Sequence, residues 1–303
     1  MDSPAGSPLT RDLLARCNFP VPGTAVHCAV SGGPDSMALL VLSVAAGLAV
    51  TAVHVDHGIR PGSAHDANVI APVARSLGAE LVVHTVSVAP GPNLEARARE
   101  ARYGMLPGGA MTGHTADDQA ETVLLNLMRG AAGTGLSGMR PGHHRPILGL
   151  RRAETRALCD ELGIACVHDE TNDDPAHQRN RVRHEMLPLI AGISRRDPVP
   201  ILVRAASVMR DDNDLLDELA AAIDPTDARA LAAAPLPLAR RAVRMWLADP
   251  YPPDHATVER VLEVARGVHP GCDVGGNRQI RRDRKSTRLN SSHVSESRMP
   301  SSA

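Results

Sequence analysis

The sequence predicts a doubly wound, mostly parallel α/β domain followed by a second, mostly α-helical domain. Three observations carry this. In the first half, Val-rich runs that are apolar almost throughout alternate with amphipathic stretches, and strands apolar on both faces belong to parallel sheets covered by helices. A glycine turn, SGGPDS at 31–36, directly follows the first of these runs. From about residue 195 onward the pattern is helical, punctuated by Pro198, Pro200, Pro225, Pro235, Pro237 and Pro250.

Taken in order, residues 1–20 read as a loose lead with a short helix over 12–16. Residues 24–30 form a strand and 34–46 a helix, 50–55 a second strand and 63–77 a helix, and 80–86 a third strand with a helix over 93–103. The segment MLPGGAMTG, 105–113, has room for only a short fourth strand before His114. Ligands of such sheets bind beyond the carboxyl ends of the strands. SGGPDS and HVDHGIR (54–60) both lie on that rim. In the second domain, helices are expected over 200–223, 237–247 and 256–267, with the boundary in 192–198. The domains are therefore 1–192 and 193–282.

The last stretch, 283–303, breaks the composition of everything before it. It holds Lys285, the single lysine of the chain, and serine suddenly dominates. Its residues match the in-frame translation of a common sequencing adapter. We read it as an artefact of that origin and expect it to be disordered.

Composition narrows the function classes. At 303 residues with net charge −1, the chain is long enough for two cores and is no general nucleic-acid glue, though a local arginine patch is compatible with it. Aromatics are nearly absent (Phe19, Tyr103, Trp246, Tyr251), so Leu, Val, Ile, Ala and Met must build the core. The five cysteines show no CxxC and read as reduced thiols. With no leader pattern and no apolar run of spanning length, a cytoplasmic location is expected.

The SGGPDS turn is an anion cradle. Glycines let the backbone turn tightly, and the N–H groups at the following helix start face phosphate oxygens. Ser31 and Ser36 add hydroxyls. Asp35 repels phosphate unless a cation lies between them, so the turn points to a nucleotide with Mg²⁺ held at Asp35. The lysine of a Walker loop is missing. A second constellation, GHTADDQAETVLLNLMRG at 113–130, spaces His114, Asp118 and Glu121 at i, i+4 and i+7, which puts them on one helix face.

SGGPDS, HVDHGIR, GHTADDQAETVLLNLMRGAAGTGLSGM, RPIL (145–148) and RNRVRHEMLPLI (179–190) occur in this order. Together they resemble the tRNA(Ile)-lysidine synthase family of the N-type ATP pyrophosphatases, strongly over 22–190 and weakly over 195–282. The resemblance implies an adenine nucleotide alpha hydrolase-like fold. It implies a ligase that uses ATP to adenylate the wobble cytidine of the CAU-anticodon tRNA(Ile). Free lysine then displaces AMP to give lysidine.

The resemblance assigns catalysis to Asp35, His114, Asp118 and Glu121, and ATP binding to Ser31, Gly32, Gly33, Pro34, Asp35, Ser36, His57 and Arg60. Lysine falls to Asp118 and Glu121, and tRNA to Arg179, Arg181 and Arg183, with Arg151, Arg152 and Arg156 extending that patch. His54 reads as a buried strand residue; for His57 an ordinary turn role stays open, as does a surface role for Arg240, Arg241 and Arg244. ATP, Mg²⁺, free lysine and tRNA(Ile) are the expected ligands, and a homodimer is an open alternative to a monomer. Two other readings stand beside this one: a tRNA thiolase, against which the isolated cysteines count, and an inert nucleotide- or RNA-binding module.

Overall fold

The computed structural model describes residues 6–56, 58, 65–86, 97, 101, 104–167, 174–249, 251–283 and 287–293. The chain divides into two compact units, Met1–Ser207 and Val208–Ala303.

The first unit begins with α1 (Pro8–Leu14), capped by the Ser7 hydroxyl accepting from Thr10 N at 3.2 Å. This start lies before the 12–16 expected, because Ser7 followed by Pro8 at the first helical position is the stronger initiation signal. Strands β1 (Ala25–Ala29), β2 (Ala49–Asp56) and β3 (Glu80–Thr85) form a parallel sheet in that order. The register pairs Ala25 with Ala49 and Thr51 with Glu80. Helices α2 (Pro34–Ala45) and α3 (Asp66–Ser76) connect the strands. The expected helix over 93–103 falls largely outside the described residues.

Beyond β3 the chain returns to the opposite edge of β1. There it forms not a strand but a single parallel bridge, Met111 to Cys28, with Met111 N donating to His27 O at 2.8 Å and Ala29 N to Met111 O at 2.9 Å. The short fourth strand expected over 105–113 is thus reduced to one bridge, since the segment is too short to pair further. Its position reverses the strand order, since β2 lies on one side of β1 and Met111 on the other. That reversal opens a crevice at the carboxyl ends of β1 and the Met111 segment.

The core beneath the crevice holds Met37, Leu39, Leu40, Leu42, Ile70 and Leu158, all buried. Helix α4 (Ala116–Met128) leaves the crevice, α5 (Gly133–Leu136) follows it, and α6 (Arg152–Glu161) returns to it. Next come α7 (Gln178–Arg181), a π-helical turn over Val182–Met186, and α8 (Leu187–Ser194). Pro188 explains the widened turn. It has no N–H, and its ring crowds the carbonyl four residues back, so the preceding Leu187 N–H reaches Val182 O, five residues back.

The units divide inside α9 (Pro198–Ala221) rather than at 192–198. Val199, Leu202 and Val203 at its start pack with Ala116, Ala120 and Leu124 of α4, which draws the first turns of α9 into the first unit. The second unit continues through α10 (Ala228–Ala233), α11 (Leu236–Trp246) and α12 (His255–Arg266), then an antiparallel sheet of β4 (Gly271–Gly275), β5 (Arg278–Arg282) and β6 (Leu289–His293). Its core gathers Leu231, Val243, Val261, Leu262 and Ile280.

Strand β6 corrects the expectation that all of 283–303 is disordered. Arg282 pairs with Leu289 and Ile280 with Ser291, and Leu289 is buried in the second core. An unpaired edge of β5 is a template for any extended segment that can reach it, whatever the origin of that segment. Among the described residues, no helix is long and apolar enough to cross a membrane.

Candidate functional site

The crevice is built by two loops that approach without side chains between them. In the first, Gly32 takes φ +87°, and a β-carbon there would lie 2.6 Å from Val167 Cγ2. Gly33 caps α2 and Pro34 opens it. Ser36 Oγ–H donates to Gly33 O at 2.8 Å and Ser36 Oγ accepts from Ser31 N at 3.1 Å, which closes the turn. Ser31, Gly32, Gly33, Pro34, Asp35 and Ser36 therefore stand together at the crevice, as the sequence anticipates.

In the second loop, a β-carbon on Gly113 would lie 2.8 Å from Asp35 O and 3.1 Å from Ser36 Cα. Glycine at 113 is what brings the backbone before α4 against the first turn of α2.

His114 does not share the helix face of Asp118 and Glu121, contrary to the i, i+4, i+7 reading. Thr115 is the N-cap, with extended backbone, so His114 precedes the helix. Its Nδ1 pairs with Thr112 Oγ1 at 2.7 Å, and it lies close enough to bias the Asp118 carboxyl. Asp118 divides its oxygens. Oδ2 accepts from Thr115 N and from Thr115 Oγ1, both at 2.8 Å, as half of a capping box. Oδ1 faces the crevice and accepts from Arg152 Nη2 at 3.0 Å and Arg179 Nη2 at 3.1 Å.

Glu121, one turn further, is wholly buried. It receives Arg179 Nε at 2.7 Å, Arg183 Nε at 2.8 Å and Arg152 Nη1 at 3.1 Å. Asp35 receives the Thr155 hydroxyl and Arg152 Nε at 3.4 Å. One guanidinium, that of Arg152, thus touches Asp35, Asp118 and Glu121.

Environment separates these carboxylates. Burial pushes the Asp35 carboxyl above the ordinary aspartate value despite Thr155 and Arg152. Burial also acts on Asp118, but Arg152 and Arg179 outweigh it and hold that carboxyl below the ordinary value. The Arg152 guanidinium is raised, since Asp118, Glu121 and Asp35 overcome its own burial.

The arginines expected to face tRNA diverge. Arg181 lies on the surface, its guanidinium on Glu185 at 2.8 Å. Arg179 and Arg183, four residues apart across the π turn, face inward onto Glu121. Arg151 joins Asp117 at 3.1 Å and Asp197. In the second unit, Arg240 pairs with Glu259 and Arg241 with Asp217. His54 is buried, its Nδ1 against Val30 O at 2.8 Å. His57 and Arg60 lie outside the described residues.

Sequence reasoning missed Arg152 as a crevice residue, along with Thr155, Gly113 and Gln119. The side-chain amide of Gln119 accepts from Met139 N at 2.7 Å and donates to Met139 O at 3.2 Å, fixing the loop after α5. Arg152 carried one signal, its place just after RPIL, and that reads equally well as basic surface.

Asp35 offers a single carboxylate to a divalent ion. Among the described residues, no group of three His, Cys, Asp or Glu stands ready to hold a metal. One carboxylate is a donor set compatible with Mg²⁺.

Comparison with known proteins places the chain in a family. A family model described as the PP-loop domain matches residues 10–190. The tRNA(Ile)-lysidine synthase of Rhodococcus erythropolis is 43% identical over 75% of this chain and 74% of its own. That of Nocardia farcinica is 43% identical over 77% and 78%, and that of Mycolicibacterium paratuberculosis 44% over 72% and 73%. Among solved structures, a U34-tRNA thiolase from Methanococcus maripaludis superposes with a TM-score of 0.53 at 15% identity, covering 67% of this chain and 78% of the other; that likeness speaks for the fold alone. With a glycine turn and a carboxylate-bearing helix meeting at one crevice, and with relatives this similar over most of their length, the chain belongs to the tRNA(Ile)-lysidine synthase family, enzymes that form lysidine in tRNA(Ile) on a PP-loop domain.

Proposed function

We propose that this chain joins free lysine to the wobble cytidine of the CAU-anticodon tRNA(Ile), through a cytidine adenylated by ATP. The observation that carries the reading is the meeting of Asp35 with Asp118 and Glu121 on the Arg152 guanidinium. A phosphate cradle and a pair of carboxylates suited to an amine share one crevice.

Cytosine's carbonyl oxygen is a poor leaving group. In the first half-reaction it attacks the α-phosphorus of ATP and pyrophosphate departs. The backbone N–H groups and hydroxyls of Ser31–Ser36 hold the phosphates in line. Asp35 would hold Mg²⁺, which would supply neutralisation of the departing charge.

In the second half-reaction the ε-amine of lysine attacks the activated ring carbon and AMP leaves with the oxygen. The amine has an ordinary pKa of about 10.4 and arrives as an ammonium ion. Asp118 Oδ1 and Glu121 attract that cation. Asp118, Glu121 or His114 takes its proton before attack. Arg181, on the surface, is suited to tRNA phosphate, while Arg179 and Arg183 shape the carboxylate pair. Such a reaction belongs in the cytoplasm, with tRNA, ATP and lysine.

Incubation of the chain with ATP, Mg²⁺, labelled lysine and a CAU-anticodon tRNA(Ile) transcript tests this. Label entering the tRNA together with pyrophosphate release, and neither when any component is omitted, is the expected result. Sulfur-donor dependence in place of lysine dependence would refute it.

A further inference from the structure

Asp118 Oδ1 and both oxygens of Glu121 already carry guanidinium groups. An ammonium ion reaches these carboxylates only by displacing one of them. Of the three guanidiniums on Glu121, that of Arg152 stands furthest, at 3.1 Å against 2.7 Å for Arg179 and 2.8 Å for Arg183. If it leaves, Glu121 still holds Arg179 and Arg183, and Asp118 still holds Thr115 and Arg179. No buried carboxylate is stripped bare, which is the expensive case. Asp35, the third partner of Arg152, keeps the Thr155 hydroxyl.

The backbone of Arg152 is pinned, with N donating to Asp117 at 2.8 Å and O accepting from Thr155 at 2.9 Å. Its side chain is partly exposed at 23%, so the guanidinium can turn outward without moving α6. Among the described residues, it is also the arginine that bridges Asp35 on α2 to the α4 carboxylates.

We propose that Arg152 is an exchangeable counter-ion that couples the two halves of the crevice. Divalent cation arriving at Asp35 and ammonium arriving at Asp118 and Glu121 each loosen the same guanidinium, whose planar fork then turns to phosphoryl oxygens. This rests on the lysine and nucleotide sites proposed above. Because both ligands favour the outward position, each strengthens binding of the other, reciprocally. Arg152 is in this sense a positioning residue: it sets when the carboxylates are open to an amine.

Calorimetric titration of L-lysine into the full chain tests the proposal. It is run with and without Mg²⁺ plus a non-hydrolysable ATP analogue, for the wild-type, Arg152→Gln and Arg152→Lys chains. In the wild type, the nucleotide should tighten lysine binding by about five- to fiftyfold. Arg152→Gln, which removes the competing cation and keeps a hydrogen-bonding side chain, should bind lysine more tightly than wild type without nucleotide and gain little from adding it, while its turnover falls. Arg152→Lys should restore weak lysine binding without nucleotide. A purely structural arginine would instead weaken lysine binding when replaced. Weaker binding in Arg152→Gln, or full coupling retained there, overturns the proposal. Asp118→Asn separates it from its foundation. Lysine binding unchanged by that substitution overturns the lysine site and this inference together, whereas binding lost there with coupling intact in Arg152→Gln overturns this inference alone.

Discussion

Glu121 is charged and wholly buried, and that is tolerable because Arg152, Arg179 and Arg183 all reach it. Buried ion pairs contribute little against an apolar alternative, yet breaking one from a single side leaves uncompensated charge. Glu121→Gln keeps the shape and removes the charge that balances these guanidiniums. It should lower unfolding free energy by about 3–5 kcal/mol, measured by urea denaturation. Asp118 differs in kind, because its Oδ2 serves the helix start while Oδ1 faces the crevice. An acidic residue three positions after a threonine reads as a cap in the sequence, and that reading is correct for half of the carboxylate. The other half was legible only through the pattern of the whole GHTADDQAET block.

At the scale of elements, the crevice depends on how closely two chain segments approach. Gly113 permits this, since its missing β-carbon would stand 2.8 Å from Asp35 O. Gly113→Ala should push the start of α4 away from α2 and slow turnover by about ten- to a hundredfold. Far-UV circular dichroism should stay unchanged, because neither helix loses a hydrogen bond. A structural effect alone would appear instead as a lower melting temperature at normal turnover. On the other wall, the i, i+4 spacing of Arg179 and Arg183 presents both to one carboxylate. The resemblance placed Arg179, Arg181 and Arg183 on one patch, whereas the helix turns Arg181 to the surface and the other two inside.

For the whole molecule, acid stability and the second core give two further tests. Asp118 is held below the ordinary aspartate value of 3.8. Its contribution is complete above pH 3.8 and is lost as pH falls through its lower folded value. Asp35 is raised above 3.8, so its contribution has the opposite sign: greatest below pH 3.8, and lost as pH rises through the raised folded value. Unfolding free energy measured across acid pH should therefore fall less steeply below pH 3.8 in Asp118→Asn than in the wild type. Above pH 3.8, Asp35→Asn should gain stability relative to the wild type as pH rises. In the second unit, β6 covers the edge of β5 and buries Leu289. Deleting residues 283–303 should lower the stability of that unit by about 1.5–3 kcal/mol, the burial of one leucine. Pyrophosphate release by the first unit should persist, and the two are read separately by thermal unfolding and by assay.

The sequence by itself determined the parallel sheet, the position of the glycine turn after β1, the brevity of the segment beyond β3 and the placing of Asp35 and Asp118 at helix starts. Each of these follows from local pattern: apolar runs, a glycine turn, a segment too short for a full strand, and motif order. Only the tertiary structure decided that Arg152 ties those carboxylates together, that Gly113 lets two loops touch, and that α9 begins in the first unit. These depend on atoms far apart along the chain meeting across the crevice or in the core. A charge or a glycine reads the same in sequence whether it faces water or another segment's backbone.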